Sequence, residues 1–154
     1  MSAPLLSPLV CANTIIYHSL RENKPVTPMK LQKLLYLLYA RSLALFDRHL
    51  FADNFEKWKY GPVLSAVYTE FRDFGAEPID RFARNNRGEV QIIDESDEDF
   101  HRCFNDVWNN FKDESGIDLS VLTHQQDTAW FKVPENKRFL DIDDIKSDGR
   151  VLFA

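Results

Sequence analysis

The chain has 154 residues, 44% of them hydrophobic and 13% aromatic, which is typical of a folded globular chain long enough to bury a core, and we expect one domain over residues 1–154. Its net charge is −5, with +3 in residues 1–75 and −8 in residues 76–154. A nucleic-acid partner would need clustered Lys and Arg, so this charge balance argues against one. Both cysteines lie in apolar helical patterns, which favours a reducing, cytoplasmic compartment. The sequence has no run of about 18 consecutive apolar residues, so we expect a soluble protein with no membrane partner.

Two helices are predicted in the first third of the chain, each beginning with a hydroxyl residue followed by proline. Ser7 and Pro8 begin the first, which we expect to end near Asn23. Thr27 and Pro28 begin the second, whose apolar residues lie nearly all around it. Such a helix is normally buried among neighbours, so we place it at the centre of the fold. Its most polar stripe is predicted at Lys30, Lys33 and Arg41.

The most constraining segment is the extended aromatic stretch at residues 58–63. Trp58 and Tyr60 are two residues apart, so they share one face of a strand, and we expect the Trp58 ring to be buried. Gly61 suits the N-cap of a following helix, and Pro62 suits its first position because proline has no N–H to leave unpaired. The segment therefore predicts a rigid joint between a strand and a helix. Its members are Trp58, Tyr60, Gly61, Pro62 and Val63.

The second half of the chain predicts a small β-hairpin followed by helices. Residues 78–93 lack helical periodicity and carry a turn sequence at residues 85–88. Ser96 is expected to cap a helix that closes at Gly116.

Two shorter helices are expected after this point. Asp118 would cap one over residues 119–124, and another is expected near residues 143–146, because Asp148-Gly149 should interrupt it. The predicted fold class is mainly α: a single compact helical domain of about six helices with a small β-hairpin.

Nothing in the sequence predicts catalysis, a cofactor or a metal. The four histidines lack the spacing of a zinc site, and there is no glycine-rich phosphate loop or serine elbow. We therefore expect a protein that is not an enzyme. A hydrolase-like alternative would pair Cys11 or Cys103 with His124, although a thiolate is disfavoured on the apolar stripe of a helix.

Several segments, taken in order, resemble the Panacea domain, also described as the SocA-like or phage-associated antitoxin family. They are Met29-Lys30-Leu31-Gln32-Lys33-Leu34-Leu35-Tyr36, Trp58-Lys59-Tyr60-Gly61-Pro62-Val63 with Val67-Tyr68, and Leu119-Ser120 with Leu122-Thr123-His124 and Trp130. The resemblance covers about residues 9–145. It implies a mainly helical antitoxin that binds and neutralises a protein toxin encoded beside it, and some related proteins are proteolytic adaptors.

Our leading hypothesis is direct neutralisation of one cognate protein toxin, and the alternative is an adaptor that delivers the toxin to an ATP-dependent protease. The candidate structural or partner-binding motif comprises Trp58, Tyr60, Gly61, Pro62, Val63, Thr123, His124 and Trp130. A separate acidic docking patch for a basic toxin is inferred from charge alone. It comprises Asp94, Glu95, Asp97, Glu98 and Asp99.

Overall fold

The computed structural model describes residues 3–154, so residues 1 and 2 of the predicted unit lie outside the described residues. These 152 residues form seven α-helices, one 3₁₀ helix and two short strands. The elements are α1 Pro8–Glu22, α2 Pro28–Phe46, β1 Glu56–Trp58, β2 Gly61–Val63, α3 Ser65–Phe71, the 3₁₀ helix Arg72–Phe74, α4 Glu98–Phe111, α5 Gly116–His124, α6 Ala129–Lys132 and α7 Ile142–Val151. The predicted mainly α fold with a small two-stranded sheet is confirmed. Within residues 3–154, no helix combines the length and the apolar character needed to cross a bilayer.

Helix α2 occupies the centre of the fold, as its all-round apolar pattern predicted. It packs against α4, α5, α7 and β2, and every residue from 30 to 40 is buried. The Thr27 hydroxyl caps it by accepting a hydrogen bond from the Lys30 N–H (3.3 Å), and Pro28 follows at the first helical position. A helix enclosed in this way has no solvent-facing side, so its polar side chains must form hydrogen bonds inside the protein.

The predicted polar stripe of α2 is therefore wrong. Lys30 is 6% exposed and Lys33 is 2% exposed, whereas Arg41 is half-buried. The Lys30 ammonium donates to the Lys112 carbonyl at the end of α4, and Arg41 pairs with Asp106 (3.1 Å). Neighbouring helices on each side of α2 leave these cations no solvent-facing stripe.

The β-hairpin lies at residues 56–63, and its predicted location at residues 78–93 is wrong, although the turn at residues 85–88 is present. Side chains of α1 take the hydrogen bonds that a second strand would have formed. The Asn13 amide donates to two carbonyls of the segment (2.9 and 3.0 Å), and the Thr14 hydroxyl accepts from the Ile93 N–H (2.9 Å). The segment is thus held as an extended loop against α1.

Three predicted helix boundaries in the second half are also wrong. The cap of α4 is Asp97 and not Ser96, because the Asp97 carboxylate accepts from the Phe100 N–H (3.1 Å). Gly116 begins α5 and does not close α4, and Ser115 rather than Asp118 caps α5 by accepting from the Asp118 N–H (3.0 Å).

Helix α7 runs through Asp148 and Gly149, where an interruption was predicted. Gly149 faces α2 so closely that a Cβ atom there would lie 2.0 Å from the Ala40 carbonyl oxygen. The buried Asp148 carboxylate accepts from the Tyr36 hydroxyl (2.5 Å) and from the Ala129 N–H (3.1 Å). The two residues expected to break the helix instead fix it against α2.

We predict that Gly149→Ala destabilises the protein by about 1–3 kcal/mol, the usual cost of forcing an extra carbon into a packed interior. Alanine favours a helix over glycine by only about 1 kcal/mol, so the steric term should dominate. Chemical denaturation measures the difference, with the exposed neighbour Arg150→Ala as control, expected within about 0.5 kcal/mol of wild type. A Gly149→Ala protein as stable as wild type would contradict the close approach of α7 to α2.

Candidate functional site

Strands β1 and β2 form a tight antiparallel hairpin in which Trp58 pairs with Gly61. Lys59 and Tyr60 make the turn, and Gly61-Pro62 belongs to β2. The prediction that Gly61 caps a helix and Pro62 begins it is therefore wrong, because α3 begins only at Ser65. The extended-to-helix joint exists, but a hairpin strand separates its two parts.

Gly61 is required in this hairpin for two reasons. Its φ of +118° belongs to a region that residues with a side chain rarely adopt. A Cβ atom there would also lie 3.0 Å from Lys33 Cε and 3.3 Å from Thr123 Oγ1. The backbone of β2 therefore touches both α2 and α5, which only a glycine permits.

Two polar residues of α2 fix the strand that follows this glycine. The Gln32 amide accepts from the Leu64 N–H (2.9 Å) and donates to the Leu64 carbonyl (3.0 Å), as a neighbouring strand would. The Lys33 ammonium donates to the Pro62 carbonyl (3.0 Å). The central helix thus holds the hairpin and the start of α3 through side chains.

Lys33 is an unusual residue because its ammonium is buried without a carboxylate partner among residues 3–154. Burial disfavours the charged form of an amine, and it lowers the pKa of Lys33 to about 7. The side chain is therefore partly neutral near physiological pH. Its hydrogen-bond partner is the neutral Pro62 carbonyl (3.0 Å).

The aromatic and hydroxyl residues predicted after residue 119 meet the same hairpin. The Ser120 hydroxyl donates to the Tyr60 carbonyl (2.5 Å), and the Trp130 indole N–H donates to the Trp58 carbonyl (2.6 Å). His124 lies edge-on to the Trp130 ring, with 5.1 Å between ring centroids. Distant parts of the chain thus converge on one turn.

A largely apolar groove of about 450 Å³ opens beside this turn, between the hairpin, α2 and α3. Residues along it include Met29, Leu31, Trp58, Tyr60, Val67 and Tyr68. The Trp58 ring is half-buried and contacts Tyr68 (4.8 Å between centroids), so the predicted burial of that ring is only partial. Tyr60 and Tyr68 are 55% and 42% exposed. The groove therefore presents aromatic surface to solvent.

The charges along the groove have one sign. Lys33, Lys59 and Arg72 line it, and in the described part of the chain no carboxylate does. Sequence reasoning did not identify Lys33 or Arg72 as site residues. The burial of Lys33 could have been predicted from the sequence, because a helix that is apolar on all sides must also bury its polar residues.

The proposed acidic patch lies elsewhere in the fold. Asp94, Glu95, Glu98 and Asp99 are exposed, but Asp97 makes a bidentate ion pair with Arg48 (2.7 and 2.9 Å). Arg48 follows the C-terminus of α2, whereas Lys33 is near its N-terminus, roughly 20 Å away at 1.5 Å per residue. The Asp97 carboxylate is therefore occupied by an intramolecular ion pair. The acidic patch does not adjoin the groove.

Neither cysteine is placed for nucleophilic catalysis. Burial raises the pKa of the Cys11 and Cys103 thiols to about 12, which keeps them protonated. His124 contacts the Ser120 main-chain carbonyl and the Trp130 ring, and across residues 3–154 it makes no hydrogen bond with either thiol. Within the same residues, no three His, Cys, Asp or Glu side chains are grouped to hold a metal ion.

We predict that Lys33→Met changes how stability depends on pH. The folded pKa of about 7 lies below the unfolded value of 10.5, so between these values the unfolded chain binds more protons and the free energy of unfolding of the wild type rises with pH. Methionine removes this contribution. The difference in free energy of unfolding between wild type and Lys33→Met should therefore change by up to about 1.4 kcal/mol per pH unit. Urea denaturation from pH 7.5 to 9 measures it. The exposed Lys137→Met should follow the wild-type slope, and parallel curves for Lys33→Met would contradict the burial of a charged amine.

Comparison with known proteins identifies a family. The family model described as "Antitoxin SocA-like, Panacea domain" matches residues 31–131, which include Lys33 of α2, the hairpin, α3, α5 and Trp130. A similar protein is Antitoxin SocA of Caulobacter vibrioides (strain NA1000 / CB15N), which is 29% identical over 123 residues, or 77% of this chain and 65% of that protein. No solved structure matches. Because the family model covers about two thirds of the sequence, the chain belongs to the SocA-like antitoxin family with a Panacea domain.

Proposed function

We propose that this chain is an antitoxin that neutralises a cognate protein toxin by binding it directly. The family carries the antitoxin part of this proposal, and a relative that shares 29% of aligned residues is named Antitoxin SocA. The chain aligns with less than two thirds of that relative, so its activity and partner are assigned here as a proposal.

The groove is the surface we assign to toxin binding, and the exposed pair Tyr60 and Tyr68 is the observation that carries this assignment. Aromatic side chains are enriched in protein interfaces and supply much of their energy. Here two of them stand at the mouth of an apolar groove whose backbone is fixed by Gln32 and Gly61. A site held rigidly before binding loses little entropy when the partner arrives.

We further propose that neutralisation proceeds without chemistry by the antitoxin. The two thiols are buried and protonated, and His124 is engaged by Ser120 and Trp130. Occupation of a functional surface of the toxin is then sufficient for its inhibition.

Co-expression tests direct neutralisation against the adaptor alternative. The product of the adjacent open reading frame should arrest growth, and this chain should restore growth equally in wild-type cells and in cells lacking their ATP-dependent proteases. The toxin should remain abundant in both. Rescue that disappears with a protease, together with a shortened toxin lifetime in its presence, would overturn direct neutralisation in favour of an adaptor.

A second prediction locates the binding surface. Tyr60→Ala and Tyr68→Ala should each raise the Kd for the purified toxin by about tenfold or more, with melting temperatures near wild type because both rings are exposed. Phe46→Ala is the matched control, since Phe46 is 36% exposed at the other end of α2. The acidic patch is tested by the double charge reversal Glu95→Lys and Glu98→Lys. A loss of affinity in this double variant, with unchanged Tyr60→Ala and Tyr68→Ala proteins, would place the interface at the patch.

A further inference from the structure

We infer that the groove accepts an apolar segment of the toxin that carries one aspartate or glutamate, and that this carboxylate pairs with the Lys33 ammonium. The inference rests on the proposed function and adds the chemistry of the partner to it. It joins two features of the groove: the sign of its charges and the unused hydrogen-bonding capacity of the lysine on its wall.

The sign of the charges comes first. Lys33, Lys59 and Arg72 line the groove, and no acidic side chain among residues 3–154 does. The chain as a whole carries a net charge of −5, so this cationic groove is contrary to the overall charge of the protein. Complementary charge on a partner is the usual way in which such a surface selects its ligand.

The state of Lys33 points to the same ligand. An ammonium has three N–H donors, and Lys33 uses one of them on the Pro62 carbonyl (3.0 Å). Lys33 is 2% exposed, and its other two donors have no hydrogen-bond partner among the described residues. Burial disfavours the charged form of this amine in the free protein, and a carboxylate brought by a partner would favour the charged form through a charge-assisted hydrogen bond.

The remainder of the groove determines what surrounds the carboxylate. Its volume of about 450 Å³ and its mostly apolar lining suit a few side chains of a polypeptide. A nucleic acid, by contrast, is held by many solvent-exposed cations that contact successive phosphates. The favoured occupant is therefore a short apolar protein segment with a single buried acid.

Such pairing changes the protonation of Lys33, which provides a specific signal. A nearby carboxylate favours the charged amine, so binding at pH 8 should take up a proton. The other charged or titratable side chains that line the groove are Lys59 and Tyr60 of the turn, Tyr68 of α3 and Arg72 of the 3₁₀ helix. Lys30 and His124 do not line it but lie on α2 and α5, which pack against the same hairpin. These groups are identical in wild type and in a Lys33 variant, so the difference between the two isolates Lys33.

The experiment is isothermal titration calorimetry at pH 8 in two buffers of different ionisation enthalpy. The probe is the purified product of the adjacent open reading frame, once that product has been shown to arrest growth. Wild type should take up roughly one proton more per complex than Lys33→Met. Lys33→Met should also raise Kd by about tenfold or more, because it leaves the toxin carboxylate without a partner. Lys33→Arg keeps the charge at every accessible pH, so it should bind more tightly than Lys33→Met and show no extra proton uptake.

Failure of the inference is distinguishable from failure of the proposed function. If wild type does not bind the growth-arresting toxin, direct neutralisation fails. If wild type binds but Lys33→Met has the same affinity and the same proton uptake, only the carboxylate pairing is overturned. Lys137→Met should match wild type throughout, and a cooperative melting transition of Lys33→Met confirms that the variant is folded.

Two further outcomes would also overturn the pairing with Lys33. Lys59→Met and Arg72→Met should weaken binding less than Lys33→Met, because these cations lie toward solvent. A loss confined to either of them would place the partner's acid at the rim. Sedimentation of the chain alone should show a monomer, and a dimer lost in Tyr60→Ala would show that a second copy fills the groove.

Discussion

The burial of the Lys33 ammonium beneath the hairpin is the constraint on which the rest of the site depends. The side chain leaves a helix that is enclosed on all sides, passes under Gly61 and ends at the Pro62 carbonyl. Because the Lys33 side chain runs so close to the backbone, residue 61 must be a glycine, and the Lys33 amine fixes the Pro62 carbonyl by a hydrogen bond. Lys33 also lines the apolar groove, so an amine without a counter-charge is buried at that surface. The local backbone and the electrostatics of the site therefore share one cause.

The other contacts of the hairpin give this arrangement its rigidity. Gln32 pairs with Leu64 from below, while Ser120 and Trp130 hold the turn from the side of α5 and α6. Each of these bonds joins a side chain to the backbone, so the path of the chain is set independently of the exposed rings. The side chains of Tyr60 and Tyr68 take part in none of these bonds, so their exposed rings are available for recognition. This division between supporting and exposed residues is what we expect of a preorganised binding surface.

Sequence reasoning identified the central helix and the family, because each produces a local pattern. It could not place Gly61, since the left-handed φ of a hairpin strand and the N-cap of a helix both favour glycine. It misjudged Lys33 because a polar residue in a helix indicates solvent only if the helix has a solvent-facing side. Gly149 was misread for a related reason: a glycine that interrupts a helix and one that admits a close neighbour look alike in sequence. In each case the deciding information was a long-range contact.

The central claim is that Lys33 is a buried amine, only partly charged in the free protein, that gains a counter-charge when the toxin binds, and NMR spectroscopy tests it most directly. The chemical shift of the Lys33 ¹³Cε, followed through a pH titration, reports the protonation of this one amine in the intact protein. Our account predicts a midpoint near 7 in the free protein and a clearly higher midpoint in the toxin complex. A midpoint close to 10.5 in the free protein, or one that does not change in the complex, would contradict it.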